Sequence, residues 1–165
     1  HKGAKYIKVS EEVDIVRYYL EFEKVRSPSL FEYELAVGDS VKDLRVIKLL
    51  LQPFVENVIK HAFADIDYKG KIKIAAIKSG DKLKFTIGDN GCGFNPKTIN
   101  LTSSQINESR KGGYGIRNVN ERLKLEYGEG NYALAIKSRK GKGTTVTIYL
   151  SLSCPSLRKD GKEVS

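Results

Sequence analysis

The stretch ENVIKH, residues 56 to 61, sets a carboxylate, an amide, an amine and an imidazole into an otherwise apolar run. At helical spacing Glu56 and Lys60 share one face, while Asn57, Lys60 and His61 fall on an adjoining one. An Asn inside a helix carries a propensity cost and competes for the backbone, so it belongs more naturally at a cap unless its side chain serves a ligand. A carboxylate, an amide and an amine on one rim suit a hydrated Mg²⁺ and a polyphosphate, with oxygen for the metal and positive charge for the phosphates. The plainer alternative is the solvated side of an amphipathic helix, with Glu56 and Lys60 an i, i+4 pair worth about 0.3 kcal/mol.

A second set of chemistry-bearing residues is DNGCG, 89 to 93, directly after the alternation of LKFTIG. A hairpin needs only Asn-Gly, yet here a second Gly follows and the next stretch is a long polar segment. The extra Gly suggests backbone kept bare so that something flat can approach. KGGYG (111 to 115) and GKGTT (141 to 145) are further glycine clusters, each readable simply as a turn. None of the three is a P-loop or a dinucleotide fingerprint, because neither GxxxxGK[ST] nor a strand-to-helix GxGxxG occurs.

These residues need elements to hold them. EEVDIVRYYLEFEKVR (11 to 26) places Val13, Val16, Leu20 and Val25 near one face, predicting a first-element helix with Ser10 as N-cap and an acidic first turn. FEYELAV (31 to 37) alternates as a strand and stops at Gly38-Asp39. LRVIKLLLQPFVENVIKHAF (44 to 63) has helical spacing, and Pro53 marks a kink or a fresh first turn, so Phe54 to Ala62 is the secure part. KIKIAAIKSGDKLKFTIGD (71 to 89) reads as an antiparallel hairpin around Ser79-Gly80-Asp81. Residues 97 to 111 show no period. The glycines then open a helix striped by Ile116, Val119, Leu123 and Tyr127. YALAIKS (132 to 138) and TTVTIYLSL (144 to 152) are strands, and the stretch from Cys154 on reads as a frayed tail. The order predicts a two-layer α/β (α+β) sandwich whose mixed, mostly antiparallel sheet carries helices on one face.

The 165 residues suit one core without covalent staples. Two cysteines in unlike contexts form no paired framework or CxxC metal site. No run nears the roughly 20 apolar residues that span a bilayer. The net charge of +9 reads either as a solvated face, with Lys69, Lys71, Lys73, Lys78, Lys82 and Lys84 scattered along strands and turns, or as a field for an anionic ligand.

In this order and at these separations, ENVIKH, DNGCG, GGYGIRNVNERL and GKGTT resemble the ATP-binding domain of sensor histidine kinases in the GHKL, or Bergerat-fold, superfamily. Upstream, YYLEFEKVR and LLLQPFVENVIKH are similar to the LytS/YesM-type subfamily, whose pattern runs roughly YLxxExxR and then LQPLVENAIKHG. The resemblance covers residues 6 to 152 and implies ATP and Mg²⁺ as cofactors. It matches Asn57 to the residue that coordinates Mg²⁺, Glu56 to an acid that polarises the attacking group or binds through water, and Lys60 and His61 to positions near the phosphates. Asp89 matches the carboxylate that accepts the adenine amino hydrogen bond, with Gly91 and Gly93 closing the backbone under the ring. Gly113 and Gly115 match the second glycine box, where the ATP lid, here 97 to 112, hands over to a helix. Thr144 matches the last box, near the floor of the adenine pocket. Ala62 stands where the pattern has Gly, and Lys48 where it often has Pro.

The resemblance further implies residues 1–26 as the end of a dimerisation and phosphotransfer helix region, 27–153 as the catalytic domain and 154–165 as a flexible tail. The phosphoacceptor histidine of the family, in a PHFxxN setting, has no counterpart here: the histidines are His1 and His61. The expected partners are a histidine segment of the same protein or of a dimer mate, and a response regulator. The expected parent is a homodimer anchored in the bacterial plasma membrane with this domain in the cytoplasm. Nucleic acid is not expected: KGGYGIRNV has a superficial likeness to the RNP1 pattern, but Ile116 and Asn118 stand where stacking aromatics are needed, and the stretch continues as a helix. Another GHKL-type ATPase, or a kinase acting on serine, is the remaining alternative.

Overall fold

The computed structural model describes residues 5–93, 98–102 and 113–158, with backbone alone described at 98–102 and 113–115. Alternation decides the sheet. Ile72, Ile74 and Ala76 on one strand, Leu83, Phe85 and Ile87 on the next, and Val146, Ile148 and Leu150 on a third are buried, while their neighbours point to the other face. The elements run β1 (Tyr6–Lys8), α1 (Val9–Arg26), β2 (Phe31–Val37), β3 (Arg45–Ile47), α2 (Gln52–Asn57), a π turn (Val58–Ala62), β4 (Gly70–Ser79) and β5 (Lys82–Asp89). They continue with β6 (Thr98–Thr102), α3 (Gly113–Tyr127), β7 (Tyr132–Arg139), β8 (Gly143–Ser151) and a 3-10 turn at Pro155–Leu157. The six-stranded sheet has the order β2-β4-β5-β8-β7-β6, with β2 parallel to β4 and every other pair antiparallel. The fold is therefore the expected two-layer, mostly antiparallel sandwich. The hairpin is also as expected, with Ser79 opposite Lys82 and Gly80 at φ +60 in its two-residue loop.

Several local expectations are corrected. Ser10 is not the cap of α1: the helix starts at Val9, and the N–H groups of Val9 and Ser10 donate to the carbonyls of Leu44 and Lys42 at 2.8 and 3.0 Å. Nor is α1 the first element, because β1 precedes it and pairs with β3. Residues 45–47, at the start of the run 44–63 read as helical, are a strand, since pairing with β1 outweighs propensity over so short a stretch. Within the segment that shows no period, Thr98–Thr102 forms edge strand β6 against β7. The rest of the expected lid, 97 and 103–112, lies outside the described residues. The tail is docked as far as Leu157, which is buried together with Cys154.

Val9, Val13, Val16 and Leu20 of α1 share one buried cluster with Phe54, Val55 and Phe63 and with the covered face of the sheet. Phe31 and Phe63, both fully buried, stack at 6.2 Å and bind β2 to the end of the π turn. On the outer face Lys69 and Lys71 face Glu32, and Lys73 faces Glu34, at 3.5–3.9 Å and well exposed. For these lysines the charge is a solvated ladder worth little in stability.

Candidate functional site

The helix that carries ENVIKH begins at Gln52, with Pro53 at a position where its missing N–H costs nothing. Glu56 and Asn57 are its last two residues, and Lys60 and His61 lie in the π turn, closed by Phe63 N–H donating to the Val58 carbonyl at 3.0 Å. Such widened turns are rare and concentrate at functional sites. Glu56 accepts from Gln52 Nε2 at 3.0 Å and faces Lys60 Nζ at 3.9 Å. That ion pair is exposed, so it is the weak surface pair that the plainer reading expects. Lys60 and His61 are exposed. Asn57 is half-buried and its amide has no hydrogen-bond partner among the described residues, which leaves its oxygen available to a ligand.

Asp89 ends β5 in the middle of the sheet, opposite Thr144 of β8 and Ile72 of β4. Its Oδ1 accepts the Gly91 N–H at 2.8 Å. Burial pushes its carboxyl up to about 6, against the opposing pull of the Gly91 and Thr144 backbone N–H groups. Thr144 is half-buried, its Oγ1 2.8 Å from Ser138 Oγ. Asn90 is wholly occupied by structure: its Oδ1 accepts the Lys71 N–H at 2.7 Å, and Tyr68 Oη donates to its carbonyl at 2.6 Å.

The glycines show what the bare backbone is for. A Cβ on Gly91 would lie 2.6 Å from both the carbonyl oxygen and the Cβ of Ala62, and one on Gly93, at φ +69, would lie 2.2 Å from the Arg139 carbonyl oxygen. Cys92 N–H donates to the Ala62 carbonyl at 3.0 Å, and Gly141 N–H to the Cys92 carbonyl at 2.7 Å. The three stretches 56–62, 89–93 and 139–143 are therefore locked together through main chain. The carboxylate of Asp89 sits two residues from the contact that ends the helix carrying Asn57. Gly113 and Gly115 lie inside the first turn of α3, which packs against α2 and has Ile116 and Val119 buried.

Four contributors have no role in the motif reading, although Gly143 and Arg122 stand inside quoted motifs and Ala62 beside one. Gly143, at φ +114, is needed because a Cβ there would lie 2.0 Å from the Asp89 carbonyl oxygen. Ala62 is the wall that Gly91 meets. Glu12 and Arg122 hold the turn from which α2 starts. Glu12 had a signal: it shares an i, i+4, i+8 row with Val16 and Leu20. No cluster of three His, Cys, Asp or Glu able to hold a metal occurs among the described residues. Among the described residues, no helix is long and apolar enough to cross a membrane.

A family model described as histidine kinase-, DNA gyrase B-, and HSP90-like ATPase matches residues 42–153. Sensor histidine kinase YesM of Bacillus subtilis is 32% identical over 150 residues, covering 91% of this chain and 25% of the relative. Sensor histidine kinase/phosphatase LytS of Staphylococcus aureus is 34% identical over 146 residues, 87% of this chain and 25% of the relative. The chain thus spans about a quarter of the length of the curated relatives it matches. In fold, it resembles the histidine kinase domain of the blue-light activated histidine kinase of Erythrobacter litoralis, with a TM-score of 0.65, 20% identity, and 96% of this chain and 67% of that one covered.

Proposed function

This chain belongs to the histidine kinase-, DNA gyrase B-, and HSP90-like ATPase family, in its LytS/YesM-like histidine kinase branch, and we propose that it binds ATP with Mg²⁺ and passes the γ-phosphoryl group to a histidine on another segment of the same polypeptide or of a dimer mate. The observation that carries this reading is the junction of Gly91 with Ala62, which packs the loop after Asp89 against the end of the segment that bears Asn57 and so supports a single rim for the two side chains.

In this reading Asp89 accepts the exocyclic amino hydrogen bond of adenine, with Thr144 beside it in the pocket floor. Asn57 offers its amide oxygen to Mg²⁺, and Lys60 and His61 lie toward the phosphates. When bound, the ion supplies charge neutralisation for the polyphosphate. The acceptor imidazole nitrogen attacks the γ-phosphorus as the bond to the β-phosphate oxygen breaks, and ADP leaves with the electron pair. Glu56, held by Gln52 Nε2, orients the acceptor and receives its proton. The first turn of α3, with Gly113 and Gly115, presents backbone N–H groups to the phosphates. Catalysis is positioning and charge compensation. In the same reading the parent is longer, as the relatives named as sensor proteins are, and is a membrane-anchored homodimer that hands the phosphoryl group to a response regulator.

Calorimetric titration with a non-hydrolysable ATP analogue, with and without Mg²⁺, tests the reading. Binding is expected in the micromolar to millimolar range, about 4 to 8 kcal/mol. Asn57→Ala is expected to lose the Mg²⁺-dependent part of that affinity and to leave thermal stability within about 0.5 kcal/mol, since a half-buried amide without a partner supports no core contact. An Asn57→Ala protein with undiminished Mg²⁺ dependence would remove the metal assignment. An acid-stable phosphoserine in the partner, in place of an acid-labile phosphohistidine, would remove the reaction.

A further inference from the structure

The turn that launches α2 is gripped from two sides by side chains of elements far apart in the chain. From α1, the fully buried carboxylate of Glu12 accepts three consecutive backbone N–H groups: Leu49 on Oε2 at 3.0 Å, and Leu50 and Leu51 on Oε1 at 2.8 and 3.2 Å. From α3, Arg122 donates through Nη1 to the Leu49 carbonyl at 2.9 Å and through Nη2 to the Lys48 carbonyl. Leu49 thus has its N–H held by an acid and its C=O held by a guanidinium. It is also, among the described residues, the one non-glycine at positive φ, +62. A bulky side chain rarely adopts that conformation and keeps it only where surroundings over-determine it. The turn has no cap of its own, because Leu51, at the N-cap position of α2, makes no side-chain cap bond. One residue later Gln52 begins α2 and donates to Glu56, next to Asn57.

Burial of a carboxylate is costly, and here a three-way bond to backbone offsets it together with the charge of Arg122. A Gln, an Asn or a capping Ser nearer in sequence could hold a helix start for less, so the arrangement is not the cheapest way to stabilise a turn. What it adds is a connection between α1, α3 and the start of the helix that bears Glu56 and Asn57. We infer that Glu12 and Arg122 are positioning residues for the nucleotide site, setting the placement of α2, and so of Asn57 relative to Asp89, by fixing the Lys48–Leu51 turn in its strained form. This rests on the Mg²⁺·ATP reading given above. A displacement of α1 along its axis pulls directly on the three N–H groups, so α1 can convey movement to the metal end of the site without passing through the sheet.

The test uses Glu12→Gln and Arg122→Lys in the full chain. Gln keeps the shape and one acceptor oxygen but turns an N–H₂ toward an N–H of the turn. Lys keeps the charge of half-buried Arg122 but not the fork that spans two carbonyls. The readout is the ratio of ATP-analogue affinity with Mg²⁺ to that without it, taken well below each variant's melting temperature. Both variants are expected to lower that ratio about tenfold, the scale on which small misplacements in a site are felt, while metal-free binding changes less than about threefold. The double variant is expected to fall no further than the worse single one, because both grips act on one turn. Variants that melt earlier but keep the parent ratio would show a merely structural clamp and overturn the inference. If Glu12→Gln does not fold, Arg122→Lys decides alone. A parent chain that binds no nucleotide defeats the functional reading and this one with it, whereas a parent that binds normally beside unaffected variants defeats only this one.

Discussion

Asp89→Asn is expected to yield a protein more stable than its parent at neutral pH and unable to recognise ATP. The carboxylate is held in the sheet where burial raises it from 3.8 to about 6, so its charged form at pH 7 is a burden on the folded state. Asn keeps the oxygen that accepts the Gly91 N–H and removes the charge. Because the folded value lies above the unfolded one, the penalty is fully present above pH 6 and is relieved as pH falls through 6 toward 3.8. The variant's advantage should therefore be about 3 kcal/mol at pH 7 and fall away as pH drops below about 4, read as converging melting temperatures. Affinity should move the other way. An acceptor replaced in part by a donor leaves the adenine amino group mispaired in a buried setting, costing about 2–4 kcal/mol, or roughly 30- to 1000-fold. In the parent, binding should weaken below pH 6 for the same reason. A variant that binds the analogue as the parent does would show that Asp89 does not read the base.

Gly143→Ala is expected to be the most damaging single methyl in the site. At φ +114 any L side chain is strained, and its Cβ would lie 2.0 Å from the Asp89 carbonyl oxygen and 2.9 Å from Asn90 Cα. Both are main chain, so relief requires the end of β5 to part from β8, and Asp89 moves with it. A stability loss of about 3 kcal/mol or more and a loss of nucleotide binding should follow together. Gly141→Ala is the matched control. That glycine has φ +80 with open space at its Cβ position, so the cost is conformational alone, about 1 kcal/mol, and binding should survive. Equal behaviour of the two variants, by thermal melting and titration, would refute the claim that contact with Asp89 is what Gly143 protects.

The sheet was legible because its strands bury one face only: FEYELAV, KIKIAAIKS, LKFTIG and TTVTIYLSL alternate, and the hairpin turn carries its own signal. Asn57 and Asp89 stand out in the sequence because they break patterns that packing alone would favour. What stayed hidden depends on partners distant in sequence. Glu12 looks like a helix-favouring acid in a first turn, and only the arrival of the 49–51 backbone makes it a buried acceptor. Arg45–Ile47 lies at the start of a run read as helical yet pairs with β1, and Ser10 loses its capping role to the carbonyls of Lys42 and Leu44. Gly91 and Gly93 suggest room for a flat ligand, whereas their missing side chains are already required by Ala62 and Arg139.

That last feature bears on the thermodynamics of recognition. The DNGCG loop is fastened before any guest arrives, by Asn90 to the start of β4, by Cys92 to Ala62 and by Gly141 to Cys92. Almost no conformational freedom is left there to surrender, so a purine bound there as proposed would meet a preorganised mould, and the ordering entropy of association would fall elsewhere. A rigid floor of this kind selects its guest by fit, and leaves affinity to be tuned by whatever must still come to rest around the phosphates.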